Sequence, residues 1–102
     1  MKQPSIEDCI LQCPSCLCDR LHQKIVSVFF RDSEDSSTGK FLRIDEKKVE
    51  KTFGGKNPSS RRDGLLIEFW CEECDADPIL AIYQRKGYTY IHWQSMRKPL
   101  EA

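Results

Sequence analysis

The chain has 102 residues, with 16 basic and 16 acidic side chains, zero formal charge, 39% hydrophobic and 31% charged residues. That is the size of one domain with a thin core, since folding at this length hides only about two-thirds of the unfolded chain's surface. Neutrality excludes a global field that would draw the protein to phosphate or to an anionic membrane. No apolar run approaches the roughly 18 to 20 residues that span a bilayer, and the opening "MKQPSIEDCILQ" lacks the basic-then-apolar pattern of a signal peptide. A cytoplasmic protein with no membrane contact is therefore expected.

The first predicted element is a short helix over residues 5–12. Ser5 with Asp8 three later resembles a capping box, and Ile6, Ile10 and Leu11 fall on one side of a helix. A well-buried strand, "KIVSVFFR" (24–31), follows, with Val26, Val28 and Phe30 on one face. "DSEDSSTG" is polar turn chemistry, and "KFLRID" returns antiparallel with Leu42 and Ile44 opposite in sense to Phe41 and Arg43. "EKKVEKTF" fits either a helical turn or an extended edge. "GGKNPSSRRDG" (54–64) reads as an exposed loop with nothing apolar to bury.

"LLIEFWC" alternates as a strand, with Leu65, Ile67, Phe69 and Cys71 on one face and Leu66, Glu68 and Trp70 on the other. "PILAIYQRKGYTYIHW" alternates on both sides of Lys86-Gly87, a hairpin with arms at about 79–84 and 88–93. The tail after Gln94 is expected to be loose. The sum is a mostly β, antiparallel single domain: an extension or short helix over 1–12, a β body over 13–93 and a tail over 94–102.

Six cysteines in a reducing compartment point to metal rather than to disulfides. They form two clusters, Cys9, Cys13, Cys16 and Cys18 near the start and Cys71 and Cys74 far downstream. Cys13-Pro14-Ser15-Cys16 and Cys71-Glu72-Glu73-Cys74 make a C-x-x-C…C-x-x-C set in which each pair turns both sulfurs toward one point, and two such turns complete a tetrahedron. Thiolate is the preferred ligand of Zn²⁺ in closed structural sites, with iron in the same cage as the alternative. Metal binding would supplement the thin core, because site formation and folding are coupled. Cys9 and Cys18 lack the two-residue spacing and read as spare thiols, although Cys18 could replace Cys16 in a shifted register. A thioredoxin-like redox pair would need a βαβ setting that the pattern does not offer.

"CPSC", "NPSSRRDGLLIEFWCEEC" and a closing hairpin ending in "IHW" resemble small, uncharacterised zinc-ribbon proteins of bacterial genomes and phages. The resemblance covers residues 13–93, is most specific over Asn57 to Cys74, and implies a zinc-ribbon fold and a cytoplasmic setting rather than an activity. Zinc ribbons usually carry Gly after the second cysteine of each pair, where φ is positive. Leu17 and Asp75 stand there instead, which predicts a distorted first turn.

Two non-enzymatic functions follow. In the first, zinc is a scaffold that presents Lys56, Arg61 and Arg62 to nucleic acid, with Arg85 and Lys86 joining the patch if the hairpin tip lies nearby and Tyr83, Tyr88, Tyr90 and Trp93 offered for stacking. Glu72, Glu73, Asp75 and Asp77 crowd the thiolates, so phosphate must approach from elsewhere. In the second, the acidic knuckle or a sheet edge serves a protein partner. Catalysis is not expected: four cysteines leave a zinc ion no open position, and His22 and His92 stand far apart.

Overall fold

Residue alternation builds the sheet. The computed structural model, which describes residues 5–7 and 9–94, contains strands β1 (Ser5–Glu7), β2 (Ile10–Gln12), β3 (Leu21–Arg31), β4 (Gly39–Ile44), β5 (Val49–Lys51), β6 (Gly64–Cys71), β7 (Ile79–Arg85) and β8 (Tyr88–Trp93). A single 3₁₀ turn, Gly54–Lys56, is the only helical element among the described residues. Strands β3 to β8 form one six-stranded antiparallel sheet in the order β5-β4-β3-β6-β7-β8, so β5 and β8 are its edges. "EKKVEKTF" therefore resolves as an extended edge, with Val49 paired to Ile44.

The register sorts side chains onto two faces, because partners directly opposite point the same way. Val28, Leu65, Ile82 and Ile91 share one face, as do Val26, Ile67, Leu80 and Trp93. Near Cys71 this face is closed by Phe69, Leu80 and Trp93, against which Leu11, Leu21, Ile67 and Ile82 pack. Phe69 and Trp93 meet edge to face at 6.0 Å. Burying three such side chains contributes about 1.5 to 3 kcal/mol apiece.

The other face carries Ser27, Phe29, Ala81 and Ile79, all buried, and is covered by the segment between β5 and β6. Gly64 is needed for that cover: a Cβ there would lie 2.2 Å from Asn57 Oδ1 and 2.8 Å from the Pro58 ring. The hairpin of β7 and β8 turns through Lys86 at φ 50 and Gly87 at φ 82, two left-handed residues as a two-residue turn of type I′ geometry requires.

Three expectations are corrected. Residues 5–7 and 10–12 form a β-hairpin, with Ile6 opposite Leu11 and Glu7 opposite Ile10, in place of a helix. Cys9 takes φ 66, which no α-helix accommodates, and a helix so short has little intrinsic stability to set against docking Leu11 on the core. The strand expected to be well buried begins earlier, at Leu21, and exposes Phe30 by 56% while Phe29 is fully buried; the covering loop lies over the face that Phe29 shares, not over Phe30. The loop at 54–64 is not wholly exposed, because Ser59 is buried. The tail expected to be loose lies outside the described residues from 95 onward, and Gln94 itself donates its N–H to the Ile79 carbonyl at 2.9 Å.

Candidate metal centre and basic concavity

β3 and β6 position the sulfurs. Leu21 pairs with Cys71 at the end of both strands, so the chain just before β3 and the chain just after β6 emerge side by side. Each forms a knuckle. The Cys13 N–H donates to the Cys18 carbonyl at 2.8 Å and the Leu17 N–H to the Cys13 carbonyl at 2.9 Å, while the N–H groups of Ser15 and Glu73 point at Cys13 Sγ and Cys71 Sγ, both at 3.4 Å. Leu17 adopts φ 66, accepting the left-handed conformation that disfavours a side chain; the first turn forms without a glycine.

The result brings together the Sγ atoms of Cys13, Cys16, Cys71 and Cys74, all within 4.8 Å of one another. Cys13 and Cys74 are 3.9 Å apart and Cys16 and Cys71 3.5 Å. A tetrahedral ion with metal–sulfur bonds of about 2.3 Å needs sulfurs about 3.8 Å apart, so the donor set fits such an ion. Cys18 stands outside the group, its Sγ accepting the Arg20 N–H at 3.2 Å, and Cys9 is exposed.

The charge balance inside the cluster points the same way. Desolvation works to raise the Cys71 thiol, but the N–H groups of Glu73 and Cys74 and the neighbouring thiols outweigh it and bring it down to about 7. Cys16 moves oppositely: the Cys18 N–H would lower it, yet desolvation and the crowded Cys71, Cys74 and Cys13 thiols push it up to about 12. Four sulfurs this close cannot all ionise without a compensating cation. Beside them, His22 stacks on Trp70 with centroids 4.2 Å apart and its Nε2 bonds to a Glu72 carboxylate oxygen. Sequence reasoning missed this pair, whose cross-strand register alone brings His22 to Trp70.

The basic candidates lie at the opposite end of the sheet. A concavity of about 200 Å³ is lined by Arg61 and Arg62 from the loop and by Arg85 and Lys86 from the hairpin tip, with Ser59, Ser60, Gln84 and Glu34. The condition that the tip lie near the loop is thus met. Lys56 is elsewhere, beside Arg43 and Glu68. Arg61 and Arg62 have counter-ions that the sequence did not reveal: Arg61 makes a two-pronged contact with Asp35 at 2.8 and 3.0 Å and also reaches Glu34, which Arg62 shares at 3.2 Å. The Arg61 guanidinium holds the Asp35 carboxyl below its ordinary value. Among the described residues, Arg85 and Lys86 make no ion pair.

Arg31, not singled out from the sequence, organises this end. Its guanidinium donates to the carbonyls of Arg62, Ser36 and Ser59 at 2.8, 2.7 and 3.0 Å, and its own N–H donates to Asp63 Oδ1 at 2.8 Å. Ser59 Oγ donates to the Gln84 carbonyl at 2.7 Å and accepts the Arg62 N–H at 2.9 Å, locking loop to hairpin. Of the aromatics offered for stacking, Trp93 is buried at 2% exposure, whereas Tyr88 is 69% and Tyr90 39% exposed.

No helix of the described residues is long and apolar enough to cross a membrane. Comparison with protein-family models, with curated proteins and with solved structures found no match.

Proposed function

We propose that this chain is a non-enzymatic, zinc-stabilised binding module of the zinc-ribbon kind whose partner is nucleic acid. Zn²⁺ held by Cys13, Cys16, Cys71 and Cys74 supplies rigidity and, with four thiolates around it, keeps no position for substrate. The carrying observation is that Arg61, Arg62, Arg85 and Lys86, from two separate segments, line one concavity. Arg85 and Lys86 contribute charge that is unpaired among the described residues, and Arg61 and Arg62 can exchange their exposed carboxylate partners for phosphate at little cost, since such surface pairs are weak. Zinc rather than iron follows from the closed, redox-silent role of the site.

The test is binding of a labelled oligonucleotide by fluorescence anisotropy across a salt series. Affinity should fall steeply with salt, with a slope of about 0.7 to 0.9 per phosphate contacted. Arg85→Gln with Lys86→Asn should flatten it; Asn is chosen because it tolerates the left-handed φ at that position. Absence of salt-sensitive binding would remove this reading. A second reading, a protein partner, is favoured by Phe30, Ile44, Val49 and Ile91, apolar and 36 to 59% exposed on the face that carries the Phe69 cluster; it expects a complex that resists salt.

A further inference from the structure

β8 is an edge strand whose alternation separates two kinds of ring. Thr89, Ile91 and Trp93 turn to the face that carries the Phe69 cluster. Tyr88, Tyr90 and His92 turn to the other, where the register sets Arg85 beside Tyr88 and Tyr83 beside Tyr90. Tyr83 and Tyr90 are stacked at 5.4 Å with planes 12° apart, Tyr83 meets His92 edge to face at 5.2 Å, and Tyr88 meets Tyr90 edge to face at 6.4 Å. The four rings therefore brace one another in fixed orientations, and the outermost two remain accessible. Exposed aromatics that stay out of the core while the same strand buries Trp93 at its other end are available to a ligand.

The basic concavity adjoins this row. Arg85 and Lys86 end β7 and begin the turn, so the row of rings starts at positive charge that no described residue pairs. At the far end of the sheet the charge reverses, with Glu72, Glu73, Asp75 and Asp77 around the thiolates. A duplex hides the faces of its bases in its own stack; a single strand offers them.

We infer that the Tyr88–Tyr90 row is a stacking platform for single-stranded nucleic acid, with the bases on the two tyrosines and the backbone phosphates on Arg85 and Lys86. The inference deepens the nucleic-acid reading above and rests on it. Tyr83 stacks against the Tyr90 ring, and His92 abuts Tyr83.

The experiment compares a short labelled oligothymidylate, the corresponding oligouridylate and a mixed-sequence duplex of equal length on the zinc-loaded full chain. The single strands should bind more tightly than the duplex. Tyr88→Ala and Tyr90→Ala should each weaken single-strand binding by about tenfold while leaving its salt slope unchanged, and Tyr88→Phe and Tyr90→Phe, which keep the ring, should bind almost as well as the parent. Equal affinity for duplex and single strand with no effect of the Tyr→Ala changes, while Arg85→Gln still weakens binding, would overturn the platform and leave the nucleic-acid reading standing. No salt-sensitive binding to any of the three would overturn both. Melting curves of the four tyrosine variants control for folding, and the Tyr→Phe pair keeps the inference testable if an alanine variant unfolds.

Discussion

The two ends of the sheet are held by different physics. At one end four sulfurs from the flanks of β3 and β6 converge within 4.8 Å; at the other a loop is fastened by the Arg31 guanidinium to three carbonyls and by ion pairs of Arg61 and Arg62 with Glu34 and Asp35. The eight residues of β6 put about 24 Å between them at the rise of an extended strand. The sulfur end is acidic, the tip basic and flanked by the exposed Tyr88 and Tyr90. On the proposed reading, stability and recognition occupy opposite ends of one strand, and each can be altered without direct contact with the other.

The largest effect expected is loss of the metal end. Cys71→Ser or Cys13→Ser should abolish both metal content, measured by elemental analysis as about one equivalent in the parent, and cooperative thermal unfolding, since structural zinc contributes on the order of 10 kcal/mol in small zinc domains. Cys9→Ser should do neither, and equal metal loss from all three variants would contradict the assignment. Next comes the tip: Arg31→Met, which leaves three carbonyls without their charged donor, should lower the unfolding free energy by about 2 to 4 kcal/mol in a denaturant titration with metal content intact.

Smaller still, Arg61→Ala combined with Arg62→Ala should leave the melting temperature nearly unchanged, because exposed ion pairs contribute little, yet weaken oligonucleotide binding; a large drop in melting temperature would make the pair structural. The smallest effect concerns pH. The Asp35 carboxyl is lowered chiefly by its hydrogen bonds from Arg61, so the stability it contributes is complete above its ordinary unfolded value and is lost as pH falls through the lowered folded one. Its NMR titration midpoint should lie below the ordinary carboxylate value and rise toward it in Arg61→Ala, with Arg31 and Arg62 still lowering it in part; an unchanged midpoint would show that the two-pronged contact does not persist in solution.

Much of the sheet was legible because alternation has a period of two and turns have chemistry. Leu65, Ile67, Phe69 and Cys71 fell on one face of a strand rich in large apolar residues, Lys86-Gly87 offered residues for a left-handed turn, and the paired C-x-x-C units announced a four-sulfur cluster. The pairing of 5–7 with 10–12 was hidden because Ile6, Ile10 and Leu11 also match a helical face, and the docking of Leu11 on Phe69, Leu80 and Trp93 is a tertiary contact that the pattern does not disclose. Phe29 and Phe30 are neighbours of the same type in one strand, so which is buried depends on where the distant loop lands. Arg31 gave no signal at all: a guanidinium bound to carbonyls uses partners that every residue possesses. The counter-ions of Arg61 and Arg62 were concealed for a related reason, since "DSEDSSTG" reads as solvated turn until the fold brings it beside the loop.

The sulfur cluster joins residues 55 and 61 positions apart, and this bears on the order in which the molecule assembles. During synthesis the pair of thiols at Cys13 and Cys16 precedes its partners and gains the full set only when Cys71 and then Cys74 leave the ribosome, with all of β3 to β6 already extruded. Closing so long a loop carries an entropy that grows with its logarithm, and contacts so distant in sequence slow folding. The ion would therefore be captured late, onto strands that have already paired, and a chain stopped short of Cys74 would lack the last sulfur.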